Sequence, residues 1–179
     1  MAKRIAVLVT DGFEQIEMTS PMDALEAAGM EVDIVSPESE TVQGWQHTEW
    51  GDEFEVDVPL GEANPENYDG LMLPGGVMNP DKLRRDPNVQ RFVRHFFEAG
   101  KPVGAICHAP WTLIDAGVVE GKRMTSYPSL QTDLKNAGAS WIDAEVVVDN
   151  GLVTSRKPDD LPAFNAKLIE ELREGVHAT

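Results

Sequence analysis

The chain has 179 residues, 41% hydrophobic and 26% charged, a composition that excludes disorder and fibrous repeats and predicts one globular domain over residues 1–179. Thirty-one Asp and Glu against 15 Lys and Arg leave a net charge of −16, which opposes binding to nucleic-acid backbones and anionic lipid heads. The single cysteine, Cys107, excludes an intrachain disulfide; with no apolar run long enough for a signal peptide or a membrane span, a cytoplasmic protein is expected.

Apolar runs alternate with amphipathic stretches, the pattern of a parallel sheet covered by helices on both faces. Ile5–Val9 reads as a buried central strand, short and β-branched, followed by the turn Asp11-Gly12. A helix is expected over residues 14–28, with Ile16, Met18, Met22 and Leu25 on its inner face, Pro21 as a kink and Gly29 as the stop. Val32–Val35 is the second strand. Residues 41–60 show alternation without helical period, as in Phe54, Val56 and Val58, and are expected to add hairpin strands at a sheet edge.

Leu71–Leu73 is a buried strand running into Pro74-Gly75-Gly76, a loop whose glycines allow close backbone approach to a ligand. Asp86-Pro87 opens a helix with Val89, Phe92, Val93 and Phe96 inward, stopped by Gly100. Pro102–Ile106 is the next strand and delivers the chain to Cys107-His108, with a helix following from Trp111 to Ala116. A short helix over 130–137, a hairpin of 144–148 with 152–155 about Asp149-Asn150-Gly151, and a last helix led by Asp159-Asp160 complete the chain. The fold class is therefore α/β, a mostly parallel central sheet between helical layers.

Charge is segregated. The first 69 residues hold 17 acidic side chains against only Lys3 and Arg4, whereas residues 82–94 carry Lys82, Arg84, Arg85, Arg91 and Arg94. A solvated acidic face is the simplest reading of the first segment.

The sharpest local feature is Ala105-Ile106-Cys107-His108-Ala109-Pro110, a cysteine between a strand end and a helix start. A side chain there points out at the carboxyl edge of the sheet, where α/β folds bind ligands, and the helix start offers N–H groups that favour a thiolate of depressed pKa. A small buried hydrophobe is the equal alternative for a free cysteine. His47, His95 and His177 stand apart, with no pair at three- or four-residue spacing, and read as ordinary histidines rather than metal ligands. The four tryptophans read as packing residues, Trp111 excepted because it closely follows the cysteine.

Several separated segments together resemble the ThiJ/PfpI superfamily, the class I glutamine amidotransferase-like cysteine proteins. They are Ile5–Glu14 with Glu17, Leu73–Gly76 with Pro80-Asp81, Ala105–His108, Asn136–Gly138, Asp143–Asp149, and Val153–Arg156 with Pro158–Phe164. The PfpI branch, described as general stress proteins, deglycases or intracellular proteases, is the nearest in pattern. The resemblance implies a flavodoxin-like three-layer sandwich, and it implies Cys107 as nucleophile with His108 beside it, Glu17 against the sulfur, and the backbone N–H groups of Gly76 and His108 as an oxyanion pocket. Gly75, Ala109 and Trp111 are expected around that pocket. Ala109 stands where the family usually has glycine. Asp81 matches an acid that reaches the histidine from a neighbouring subunit, so a homo-oligomer is implied.

On the residues themselves, Glu14 rivals Glu17, lying one turn away on the same helical face. His108 needs a carboxylate to set its tautomer, and Asp81, otherwise a first-turn helix acid, is the candidate. The expected function is a cofactor-independent cysteine enzyme acting on small reactive aldehydes such as methylglyoxal, or on glycated protein side chains, glyoxalase- or deglycase-like. Two alternatives stand beside it: an intracellular cysteine peptidase, and a redox-responsive stress protein whose Cys107 is oxidised rather than turned over.

Overall fold

A computed structural model describes residues 2–176; His177 lies outside the described residues. The elements in chain order are β1 (Arg4–Leu8), β2 (Phe13–Glu14), α1 (Gln15–Ala27), β3 (Glu31–Ser36), β4 (Thr41–Gln46), β5 (Glu49–Glu55), β6 (Val58–Pro59) and β7 (Gly70–Leu73). They continue with α2 (Met78–Leu83), α3 (Pro87–Glu98), β8 (Val103–Ile106), α4 (Pro110–Ala116), β9 (Arg123–Met124), α5 (Gln131–Asn136), β10 (Ser140–Trp141), β11 (Val147–Asp149), β12 (Leu152–Ser155) and α6 (Leu161–Glu174).

The main sheet has seven strands in the order β11-β12-β8-β7-β1-β3-β6, parallel throughout except for β11, which pairs antiparallel with β12. The central strands are short apolar runs because both their faces are covered. Ala6, Leu8, Leu71, Leu73 and Ala105 share one buried cluster with α3, α4 and α5. Ile5, Val7, Val9, Met72 and Ile106 point the other way, into a cluster with α1 and α6. This period-two alternation makes the three layers. The β11–β12 turn has positive φ at both Asn150 (49°) and Gly151 (85°), the backbone that an Asn-Gly hairpin turn adopts.

Three expectations are corrected. First, Ile16 is not on the inner face of α1 but 46% exposed. Met18, Pro21 and Leu25 set the helix phase against the sheet, which turns Ile16 about 200° away from Met18 and brings Glu17 inward. Second, residues 41–60 do not simply extend the main sheet. Only β6 joins its edge, while β4 and β5 form an antiparallel hairpin that pairs with β2 in a separate three-stranded sheet. The loop after β1 offers the free edge: Gly12 N–H donates to Gln43 O at 2.9 Å, Gln43 N–H donates to Asp11 Oδ1 at 2.8 Å, and Phe54 packs on Phe13 with ring centroids 5.8 Å apart. Third, β9 and β10 form a two-stranded parallel sheet that the sequence reading did not contain. Two residues per strand are too few to show any alternation.

Candidate active site

The parallel strands β1, β7 and β8 end at one edge of the sheet, and the loops leaving them converge there. Cys107 follows β8 directly, with φ of 65°, in the left-handed region that a residue with a Cβ seldom occupies. Two backbone bonds hold this elbow: Cys107 N–H donates to Ser155 O at 3.0 Å, and Tyr127 N–H donates to Cys107 O at 2.8 Å. The thiol is therefore presented at the sheet edge, at the bottom of a cavity of about 510 Å³.

Glu17 also lines that cavity and is fully buried. Its Oε1 accepts from Gly75 N–H at 3.0 Å; the carboxyl also interacts with the Cys107 thiol, and Oε2 has no hydrogen-bond partner among the described residues. Burial, reinforced by the charge of Glu14, pushes the Glu17 carboxyl up to about 8, so it carries a proton at neutral pH. The geometry thus separates the two rival acids: Glu17 is at the sulfur, whereas Glu14 is half-buried at the cavity mouth.

Burial, with the charge of an ionised Glu17 adding to it, also pushes the Cys107 thiol up, although the backbone N–H groups of Gly76 and His108 act in the opposite direction. The expected depressed pKa is corrected accordingly. The cysteine is 7% exposed, and the helix behind it has only seven residues, so desolvation outweighs the helix terminus. His108 lies beside the thiol: its Nδ1 is 3.1 Å from Cys107 Sγ, and burial lowers its pKa, which leaves a neutral ring at pH 7.

His108 is stacked on Tyr127, with centroids 4.7 Å apart, and meets the edge of Trp111 at 5.1 Å. Its Nε2 faces Ser129 Oγ at 3.4 Å. Asp81 is not brought to His108 within the protomer; it is exposed in the first turn of α2, beside Lys82, Arg85 and Asp86.

Of the residues expected around the pocket, Gly76 lines it, while Gly75, Ala109 and Trp111 stand one layer behind. Ala109 packs in the core cluster under α4, so its methyl group does not narrow the cavity. Trp111 buttresses His108 and is itself tied by Nε1 to Asp133 at 3.0 Å. Gly75 occupies a position where a Cβ would lie 2.6 Å from both Glu17 Oε1 and Ile106 O. The cavity also takes in Trp45, His47, Tyr127 and Pro158, which the sequence reading did not place there. His47 is thus not an ordinary surface histidine, and Trp50 packs only by its edge contact with Trp45 at 5.2 Å, being 49% exposed at the end of the β4–β5 hairpin. Tyr127 had one legible signal, an aromatic between a serine and a proline; nothing local marks His47. His95, by contrast, is ordinary, lying 3.0 Å from Lys101 Nζ. Among the described residues no group of three or more His, Cys, Asp or Glu side chains could hold a metal ion, and no helix is long and apolar enough to cross a membrane.

The buried Glu17 carboxyl makes stability pH-dependent with a definite sign. Its pKa is raised in the folded state, so the native protein holds a proton that the unfolded chain releases above about 4.5; stability from this group is full below that pH and declines up to about 8. Glu17→Gln removes the titration. Urea unfolding midpoints at pH 5 and pH 8.5 are expected to differ less in Glu17→Gln than in the wild type; an equal or larger difference refutes a buried protonated Glu17.

The geometry has counterparts among known proteins. A Bacillus subtilis (strain 168) protein named "Putative cysteine protease YraA" is 45% identical over 173 residues, 97% of this chain and 100% of that one. Protein/nucleic acid deglycase 2 of Escherichia coli (strain K12) is 46% identical over 174 residues, 96% of this chain and 99% of that one. The crystal structure of Drosophila melanogaster DJ-1beta superposes with a TM-score of 0.88 at 32% identity, covering 96% of this chain and 91% of that one. Sequence and fold together, with the model of the DJ-1/PfpI family matching residues 3–171, show that the chain belongs to the DJ-1/PfpI family.

Proposed function

We propose that the protein is a cofactor-independent cysteine enzyme that acts on reactive carbonyls, methylglyoxal and its early adducts on amines, with Cys107 as nucleophile. The observation that carries this reading is a thiol at a left-handed elbow with a base and an acid on either side of it: His108 Nδ1 at 3.1 Å and the buried, protonated Glu17. Two groups whose environments push their pKa values apart divide proton acceptance from proton donation. The name of the Escherichia coli relative supports the reaction class.

In the proposed sequence His108 takes the thiol proton and the sulfur adds to the aldehyde carbon. The carbonyl electron pair moves to oxygen, where the N–H groups of Gly76 and His108 stabilise it before protonation to a hemithioacetal. Transfer of the C1 proton to the adjacent carbonyl carbon, by way of an enediol, oxidises C1 to a thioester and reduces C2 to an alcohol. Water then cleaves the thioester to lactate and restores the thiol. With an amine adduct, sulfur replaces nitrogen on the same carbon and the amine leaves with a proton from Glu17. Repurified protein given methylglyoxal, free or as its adducts with Nα-acetyl-arginine, should release lactate; no lactate from either overturns the proposal.

A peptidase is the second reading, favoured by the Sγ···Nδ1 contact and by the name of the Bacillus subtilis relative. Casein cleavage that persists through repurification and is lost in Cys107→Ala would establish it.

The working unit is proposed to be a homo-oligomer in which Asp81 of one copy completes the site of another. The exposure of Asp81 supports this, as does the basic segment 82–94 set against the acidic first 69 residues. Part of that charge is engaged at home, since Arg84 pairs with Asp115 at 2.7 Å. Mixing inactive Asp81→Ala with inactive Cys107→Ala protein is expected to restore activity in the mixed assemblies. A monomer with full activity in light scattering, or mixtures that stay inactive, would refute the shared site.

A further inference from the structure

Both ring nitrogens of His108 have a partner within the protomer. Nδ1 lies 3.1 Å from Cys107 Sγ, and Nε2 lies 3.4 Å from Ser129 Oγ. The flanking aromatics hold the ring in place, Tyr127 stacked with its plane 21° from that of the imidazole and Trp111 edge-on. Neither contact settles which nitrogen carries the proton. Among the described residues, Ser129 supplies the polar contact to the nitrogen that faces away from the sulfur. Its hydroxyl does not hang on a loose loop. Ser129 sits in a single 3-10 turn, Pro128–Leu130, and that turn is fastened at both ends. Tyr127 N–H donates to Cys107 O at 2.8 Å, and Leu130 N–H donates to Tyr127 O at 3.0 Å. Just before it, Ser126 Oγ donates to Tyr127 O and accepts from Trp141 Nε1–H, both at 2.9 Å. Just after it, Leu130 is fully buried. A backbone bond from the cysteine itself thus helps to set where the Ser129 hydroxyl stands.

A neutral imidazole has one proton and two nitrogens to hold it. A ring that is to accept a proton at Nδ1 must keep its own on Nε2, and an Nε2–H needs an acceptor. A serine hydroxyl can be that acceptor. Once Nδ1 has taken a proton both nitrogens are donors, and the bond from Nε2–H to Oγ becomes charge-assisted, which shortens and strengthens it. A resting distance of 3.4 Å suits such a bond, since contacts of this kind tighten when the ring becomes charged.

We propose that Ser129 is a positioning residue: its Oγ accepts the Nε2–H of His108 and so holds the ring in the tautomer whose Nδ1 is free to take the thiol proton of Cys107. The proton passes from Sγ to Nδ1, the hydroxyl keeps its own proton throughout, and the ring becomes neutral again when Nδ1 gives that proton up. This role rests on the nucleophile and base proposed above and is independent of which carbonyl the sulfur attacks. It also lies within one chain, which distinguishes it from the part proposed for Asp81 of another copy.

Nitrogen-15 shifts of histidine rings separate a protonated from an unprotonated nitrogen, and His108→Asn identifies the His108 signals among those of the four histidines. At pH 7 the wild-type ring is expected to carry its proton on Nε2. Ser129→Ala should lower the ratio of Nε2–H to Nδ1–H tautomer about three- to tenfold, the equivalent of one neutral hydrogen bond, and Ser129→Thr, which keeps a hydroxyl, should restore it. The rate of iodoacetamide alkylation at Cys107, the only cysteine, should fall about three- to tenfold in Ser129→Ala, because the bond lost is strongest to the charged ring, and should recover in Ser129→Thr. A wild-type ring protonated on Nδ1, or a ratio and a rate that do not move in Ser129→Ala, overturns the proposal. So does a Ser129→Thr variant as impaired as Ser129→Ala, since lost packing would then be the cause. A ratio that moves in Asp81→Ala but not in Ser129→Ala would give the role to the acid instead. Ratio and rate that follow the hydroxyl, with no lactate from any carbonyl substrate, would overturn the carbonyl reading and leave Ser129 in its role.

Discussion

Cys107→Ala is expected to lose lactate formation from methylglyoxal and its adducts by at least about 10³-fold, because covalent addition has no substitute in the site: there is no other cysteine in the chain. His108 and Glu17 would remain in place, since neither depends on the sulfur for its position. Glu17 Oε1 is held by Gly75 N–H, and His108 by its stack on Tyr127. The variant should therefore fold, with far-UV circular dichroism unchanged and a thermal midpoint within a few degrees of the wild type. Activity retained above about a hundredth of wild type, in protein shown by mass spectrometry to be free of wild-type chain, would remove Cys107 from the chemistry.

The second large effect belongs to a residue that does not line the cavity. Gly75→Ala would set a methyl group 2.6 Å from Ile106 O and 2.7 Å from Cys107 Cβ, as well as 2.6 Å from Glu17 Oε1. Two of these neighbours are parts of the elbow and cannot move without shifting β8, so the methyl must push β7 and β8 apart or displace Glu17. Overpacking of this kind costs about 1–3 kcal/mol, and loss of the Gly75 N–H bond to a buried carboxyl adds to it. The expected outcome is a urea midpoint lowered by the equivalent of about 3 kcal/mol together with at least about 100-fold lower activity. Gly29→Ala serves as a contrast: Gly29 has nothing within 4 Å of its Cβ position, so only its own left-handed backbone is penalised, and activity should persist. Equal activity losses at the two positions would remove the special role of Gly75.

Much of this architecture was legible beforehand, and the parts that were not have identifiable reasons. The strands Ile5–Val9, Leu71–Leu73 and Pro102–Ile106 announce themselves because burial on both faces demands continuous apolar residues, and the structure places β1, β7 and β8 there. Cys107 was legible as an elbow from the change of pattern on either side of it. The direction of its pKa was not, because the helix terminus is a local property of the sequence while desolvation depends on what covers the thiol. His47 and Trp45 reach the cavity through pairing of β4 with β2, some thirty residues back in the chain, and no local pattern encodes that partner. Likewise Tyr127 arrives at Cys107 through one backbone bond across twenty residues.

The two halves of the cavity are held by separate sets of bonds. The elbow is fastened by its own main chain, with both backbone groups of Cys107 bonded to neighbouring segments, so its shape does not depend on the side chains around the mouth. The hairpin is attached by the pairing of β4 with β2 and by side chains, Gln15 to Asp52 at both ends of the amide and Asp11 to Gln43. That separation has a consequence for redesign: Trp45 and His47 can be exchanged to reshape the entrance while the two main-chain bonds that fix the Cys107 elbow stay as they are.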